Sequence, residues 1–411
     1  MPSSLVVAQN IRRRPMSEWL QWLATHGVLR AVAAIGVRQG DLLATLMHGT
    51  HYEHLFDELA QLGPLVKGRL SYVTVDHGVS HALLRSDDFQ VLVGPSWLPR
   101  DGVHPLRDPS LLSVEGIDHT RYRKAVAELL SPRVVAELRA GVERTAAGLL
   151  AHLSGTVDIV ESYCSRLPVA VIGDILGVPE RERPTFGFVG PSLDLGLPWK
   201  TYRSGQRAVK EFTSWIAAQQ ARTPSDNWMS QLIEAAQSSS VTQLTDAELR
   251  GGIAALTLAG FESASNLVAS GIRMLLDAQR PKSWPNAVDE ILRLEPPVQF
   301  TARRAIRDTE VAAVRIKRGE LVMVYVAAAN RDPAVFADPH RFDAERPNAG
   351  RHLSFSGGRH LCPGNGLARL YGEVGLRAFF ARFPGARLAG PGARKSMTLL
   401  RGWSALPVVL V

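Results

Sequence analysis

Cysteine is nearly absent: 411 residues contain two, Cys164 and Cys362. Two isolated thiols give no disulfide framework. No low-complexity block, internal repeat or long run of one charge interrupts the chain. No linker is visible, so one domain over residues 1–411 is expected, with 1–40 as a peripheral N-terminal helical segment. Hydrophobic residues, 45% of the chain, are dispersed rather than gathered into a membrane span. The first residues lack the apolar core and small-residue cleavage site of a signal peptide, which makes the cytoplasm the expected location. Flavin and nicotinamide fingerprints, nucleic-acid motifs and basic runs with interleaved aromatics are missing too, so no nucleic acid is expected as a partner.

Charge is present in excess of one sign. Lys and Arg number 47 against 39 Asp and Glu, a net +8. An anionic membrane or an acidic protein partner fits that balance. Arg12-Arg13-Arg14 precede Trp19-Leu20-Gln21-Trp22-Leu23. This stretch reads either as a peripheral membrane contact or as an ordered N-terminal helix.

Helical spacing recurs over 79–85, 120–130, 134–152 and 205–219. Ser131-Pro132 and Pro296-Pro297 mark helix ends. Leu70 to Val75 reads as a strand. Val311–Ile316 and Leu321–Val326, separated by Arg318-Gly319, read as a hairpin. Thr245-Asp-Ala-Glu248 is a capping box. The helix it opens runs without proline to about Leu276, on the order of 45 Å. The expected fold is mainly α with small peripheral sheets.

Cys362 sits in Phe355-Ser-Gly-Gly-Arg-His-Leu-Cys-Pro-Gly-Asn-Gly-Leu-Ala-Arg369. Pro363 suits the first residue of a helix, and Leu367, Tyr371, Val374 and Ala378 follow at helical spacing. The sulfur then lies at a positive helix end, which favours thiolate. Gly357, Gly358 and Gly364 let the backbone approach something flat and bulky. Two readings stay open on these residues alone: a buried small hydrophobe, or an axial ligand for haem iron. The long helix poses a similar choice. Leu256, Gly260, Ser263 and Leu267 form one stripe, with small Ala259-Gly260 followed by polar Glu262-Ser263 at mid-length. This is either close packing with a serine bonded back to its own helix, or a ligand-facing proton supply.

Phe355, Gly358, His360, Cys362 and Gly364 resemble, in order, the haem-binding signature of the cytochrome P-450 family. Ala259-Gly-Phe-Glu-Ser263 resembles that family's oxygen-activation segment, with serine where threonine is usual. Glu290, Arg293 and Arg346 resemble its core-locking set. His119, Arg123, Arg303 and His352 match positions that bind the haem propionates, with Arg304 an alternative to Arg303. By position, Leu256, Ala259, Gly260, Val298, Phe300 and Leu400 line the distal pocket, and Val91 to Leu112 form a lid. Trp22–Val28, Leu84–Phe89, His104–Pro109 and Ser192–Trp199 are similar to a mycobacterial branch, family one-forty.

The resemblance implies the P-450 fold and haem b held by Cys362. It implies a monooxygenase that hydroxylates a hydrophobic small molecule, a lipid or polyketide, with O2. Glu262 and Ser263 manage proton delivery. Electrons come from NAD(P)H through a ferredoxin reductase and an acidic ferredoxin, docking on the cysteine side near Arg359. A monomer is expected. Two departures stand out. Residues 277–287 are too short and proline-marked for the helix the family has there, which implies weaker local stability near the long helix. Pro363 removes one N–H beside the sulfur. A haem-thiolate sensor without turnover is the alternative, opposed by the retained Glu262-Ser263 pair. A cysteine hydrolase using Cys362 with His360 is opposed by their spacing.

Overall fold

The computed structural model describes residues 18–40, 44–46, 54–68, 71–91, 110–127, 130–183, 198–220, 230, 234, 244–395 and 400–411. The expected lid, Val91 to Leu112, falls mostly outside these residues, as do Arg12–Arg14, His104–Pro109 and Leu70.

The central helix spans Asp246–Leu276, 31 residues. Both halves of its capping box form: the Glu248 amide donates to Thr245 Oγ1 at 3.2 Å, and the Thr245 amide donates to Glu248 Oε2 at 2.8 Å. Its apolar window, Glu248–Leu276, is long enough to cross a membrane, but 78% of it is buried inside the protein. A helix apolar on nearly all sides needs neighbours on all sides. These are the helices Arg166–Leu176, Trp199–Gln220, Trp284–Leu294 and Asn365–Arg382. Gly271 permits one of those approaches, because a Cβ there would meet Leu376 Cδ1 at 2.7 Å.

Ser131-Pro132 opens a helix rather than only closing one. Ser131 caps Pro132–Ala151 and the proline sits in its first turn, where the missing N–H costs nothing. The helix after the cysteine begins at Asn365, with Gly364 as its cap. Pro363 therefore lies in the turn before the helix, not at its first position.

The strands are β1 Val66–Lys67, β2 Tyr72–Thr74, β3 Phe89–Val91, β4 Gly155–Asp158, β5 Thr301–Ala305, β6 Thr309–Val311, β7 Val314–Ile316, β8 Leu321–Val324, β9 Arg387–Leu388, β10 Ala393–Arg394, β11 Trp403–Ala405 and β12 Pro407–Leu410. The largest sheet runs β1-β2-β8-β5-β3. Here the expected hairpin is corrected. The turn falls at Ala312-Ala313, where both residues have positive φ (50° and 61°), and joins β6 to β7. Strand β8 pairs instead with β5 and, in parallel, with β2. A two-residue turn with both φ positive normally calls for Asn or Gly, and neither is present to signal it.

The short segment after the central helix is clamped by Arg280. Its guanidinium donates to Leu275 O at 2.6 Å and Pro384 O at 3.2 Å, and lies 3.8 Å from the centre of the Phe380 ring. The helix end is covered by a side chain instead of a further helix.

Glu290 lies fully buried on Trp284–Leu294. It accepts from Arg293 Nε at 2.7 Å, Arg293 Nη2 at 2.9 Å, Arg346 Nε at 3.0 Å and the Asp343 amide at 3.0 Å. The two guanidinia spend their remaining donors on the carbonyls of Asn330, Pro339, Ala337, Asp338 and Arg341. Removing one partner leaves buried charge uncompensated, typically about 3–5 kcal/mol. Glu290→Gln is expected to lose stability of that size in urea unfolding followed by circular dichroism. An unchanged midpoint would show the network to be dispensable.

Candidate active site

A short chain of hydrogen bonds runs from Glu290 to the cysteine loop. Arg293, held by Glu290, donates to Asn330 O at 2.9 Å. The Asn330 side chain accepts from the Leu353 amide at 2.7 Å and donates to Ser354 Oγ at 2.9 Å. Ser354 Oγ donates in turn to Leu292 O at 2.7 Å. The loop then turns through Ser356, held at φ 63°, and Gly358 at φ 62°. The Cys362 amide donates back to Phe355 O at 2.9 Å, closing the loop under the sulfur.

The glycines do not all have the expected role. A Cβ on Gly358 would meet Leu84 O at 2.7 Å, and one on Gly357 would meet Arg85 Nη1 at 2.7 Å. These two seat the loop on the helix His77–Arg85. Only Gly364 serves the sulfur, by donating its backbone N–H to it. The expectation of a favoured thiolate is also corrected for the protein alone. Burial pushes the Cys362 thiol up, against the opposing pull of the Gly364 amide and the guanidinia of Arg123 and Arg369. A coordinated metal ion deprotonates such a thiol outright.

Arg303 lies on β5 with its side chain inward, 3% exposed. Its Nη1 donates to Thr301 Oγ1 at 2.9 Å and its Nη2 to Ser356 Oγ at 3.2 Å, so it reaches the cysteine loop. No carboxylate pairs with it among the described residues, and burial pulls its pKa down to about 10. Between the two arginines, Arg303 is the one aimed at the loop. Arg123 donates to Leu361 O at 2.5 Å. The His119 ring lies 4.3 Å from that of His360, whose Nε2 bonds both oxygens of Glu115 at 3.1 Å. Burial, with the neighbouring His360, lowers His119 to about 4 and keeps it neutral. His352 differs from expectation. Its Nε2 bonds Asp289 Oδ1 at 3.3 Å and its Nδ1 accepts the Ser354 amide at 3.2 Å, so both ring nitrogens are engaged by protein. Arg369 shares Asp289 at 2.8 Å and lies 4.6 Å from the centre of the Phe355 ring.

The middle of the central helix changes character. Leu256, Ala259, Gly260 and Ser263 are half-buried in a helix whose other central residues are mostly buried. Ser263 Oγ donates to Ala259 O at 2.6 Å. Buried Glu262 forms an ion pair with Lys395. Val298 is half-buried and forms a β-bridge with Leu400, which places these two together. Phe300 is not with them. It stacks on Tyr325 at 5.9 Å in a separate cluster with Phe56 and Val75 beside the large sheet.

The set fits haem b: one soft sulfur ligand on a braced loop, a buried guanidinium that no carboxylate pairs with among the described residues, and a small, half-buried helix face. Sequence reasoning missed Glu115, Asp289 and Lys395. All three act on partners more than sixty residues away, so local spacing carries no trace of them.

Comparison with known proteins gives the same reading. The cytochrome P450 family pattern matches residues 284–386. A protein named cytochrome P450 140 in Mycobacterium bovis is 53% identical over 429 aligned positions, covering 96% of this chain and 98% of the relative. The 6-deoxyerythronolide B hydroxylase of Saccharopolyspora erythraea is 39% identical, covering 71% of this chain and 76% of its own. The crystal structure of P450BioI, in complex with acyl carrier protein carrying hexadec-9Z-enoic acid, superposes with a TM-score of 0.80 at 25% identity. That match covers 87% of this chain and 98% of the other. With a half-buried thiol on a braced loop, a buried guanidinium that no carboxylate pairs with among the described residues, and this kinship in view, the chain belongs to the cytochrome P450 family and is a haem-thiolate monooxygenase.

Proposed function

We propose that this enzyme hydroxylates a bulky hydrophobic compound, a polyketide or fatty-acyl molecule, in the cytoplasm, with electrons from NAD(P)H passed through a ferredoxin reductase and a ferredoxin. The observation that carries the reading is the half-buried face Leu256–Ala259–Gly260–Ser263, apolar and then polar, inside an otherwise buried helix. It offers an apolar wall to a substrate and a hydroxyl at its end. A relative named for polyketide biosynthesis, and the structural neighbour in complex with acyl carrier protein carrying hexadec-9Z-enoic acid, support the substrate class.

Cys362 would be the iron ligand, and Arg303, His119 and Arg123 would face the two carboxylates of the group. Haem b, bound there, supplies dioxygen activation. The protein's part is to place substrate and protons. Leu256, Val298 and Leu400 hold the apolar substrate. Ser263 Oγ would donate its proton toward the reacting oxygen, turning from Ala259 O to do so, and Glu262, after taking a proton from the Lys395 ammonium paired with it, would pass one back to Ser263. Serine lacks the methyl that fixes the rotamer of threonine, so Ser263 Oγ has more freedom to miss the delivery geometry.

The electron donor would dock on the cysteine side. Arg359 is not its main contact, because it is paired with Asp87 and faces Glu115. Arg85 and Arg351 line a cavity of about 560 Å³ there, beside Arg369, whose charge is shared with Asp289. That concentration of cations suits the carboxylates of an acidic ferredoxin.

Two outcomes are expected. With a ferredoxin pair, NADH and heavy-isotope dioxygen, a macrolide precursor or long-chain fatty acid gains one labelled oxygen. Ser263→Thr raises the fraction of electrons recovered in product, while Ser263→Ala lowers product formation by about tenfold or more. Equal coupling in all three proteins would remove Ser263 from proton delivery. Arg351→Glu is expected to raise the KM for ferredoxin about tenfold while leaving chemical reduction of the haem unchanged. An unaltered KM would place the donor elsewhere.

A further inference from the structure

The N-terminal helices carry a surface that the haem site does not use. A helix at Glu18–Trp22 passes through a π-helical turn at Leu23–Gly27 into Val28–Arg38. Two aromatic contacts tie it to the helix Trp199–Gln220. The Trp22 ring meets Trp199 edge-on at 5.8 Å, and the His26 ring lies 5.2 Å from Tyr202. On Val28–Arg38, Val28, Val32 and Ile35 recur at steps of four and three and are 51%, 45% and 53% exposed. Ala31 is exposed among them. Trp19, on the preceding helix, is 50% exposed. Single exposed aliphatic residues are ordinary, whereas a contiguous helical stripe marks a contact surface.

The supporting helix, Trp199–Gln220, adds charge of one sign. Lys200, Arg203, Arg207 and Lys210 are exposed at steps of three, four and three, so they form one stripe. Arg203 packs over the Trp199 ring at 5.6 Å and lies 3.9 Å from Glu18. Residues 18–38 and 199–220 contain two acids, Glu18 and Glu211, against six Lys and Arg. Arg12-Arg13-Arg14 stand just upstream in the sequence.

We propose that this surface binds an anionic lipid bilayer. Val28, Val32, Ile35 and Trp19 enter the boundary between headgroups and acyl chains, and the cationic stripe of Trp199–Gln220 meets the lipid phosphates. A second copy of the chain fits less well, because a symmetric contact brings two cationic stripes together. The aliphatic stripe is the convex face of a helix, which a lipid surface accepts without a shaped pocket. Such docking holds the enzyme where a lipophilic substrate partitions.

The test is co-sedimentation of the full-length, haem-loaded protein with vesicles of phosphatidylcholine, alone or mixed with phosphatidylglycerol. Binding is expected only to the mixed vesicles, and to weaken as salt rises. Each surface cation contributes roughly fivefold to affinity, so Lys200→Glu with Arg207→Glu lowers it by at least about tenfold. Val32→Glu with Ile35→Glu removes binding while the haem spectrum stays intact, which excludes unfolding as the cause. Arg133→Glu, at a cation exposed on another helix, leaves binding unchanged. Absence of binding to mixed vesicles, or equal binding to both kinds, overturns the proposal. So does concentration-dependent dimerisation that Val32→Glu with Ile35→Glu cancels, or capture of an acidic protein through the stripe without vesicle binding.

Discussion

The carboxylate of Glu290 is the constraint on which the active site rests. It is fully buried, and it is tolerated there because two guanidinia and an amide saturate it. A buried charge set of this kind is weak evidence for stability in itself, since desolvation consumes much of the attraction. Its effect is geometric. Arg293 can hold Asn330 O only if Glu290 holds Arg293, and Asn330 then fixes Leu353 and Ser354 at the entrance to the cysteine loop. The position of Cys362 Sγ is inherited from a group far along the chain. The network has no atom in the proposed chemistry, but it sets where that chemistry occurs.

The second constraint is the opposite helix. Burial makes most of Asp246–Leu276 apolar, yet its middle holds Glu262 and Ser263. Lys395 answers the buried carboxylate, and Ala259 O answers the hydroxyl. Both groups have partners in the protein alone. The proposed proton delivery would therefore exchange one hydrogen bond for another and would not fill an unmet one. Beside them the helix face is apolar, and Val298 is bridged to Leu400 of the C-terminal segment.

Much of this was legible in the sequence because it is local. The capping box at Thr245, the Glu290/Arg293 pair at i and i+3, and the spacing around Cys362 are short-range patterns with short-range causes. What escaped is tertiary. Ala312-Ala313 adopts a turn that its residues do not advertise, so the pairing of β8 was misassigned. Phe300 looks like a pocket residue by position, but its ring is taken by Tyr325. His352 looks like a free donor until Asp289 is brought beside it from sixty-three residues away. The two glycines before His360 look like room for a cofactor, and instead they let the loop touch Leu84 and Arg85. In each case the residue type was informative and the neighbour was not foreseeable.

The central claim is that Cys362 is the thiolate on the haem iron. The direct measurement is the carbon monoxide difference spectrum of the reduced protein and of Cys362→Ser, each with its far-ultraviolet circular dichroism. The account predicts the red-shifted Soret band of a thiolate-ligated haem in the parent protein and its loss in the folded variant. The same band in Cys362→Ser, or none in folded, haem-supplied parent protein, would contradict it.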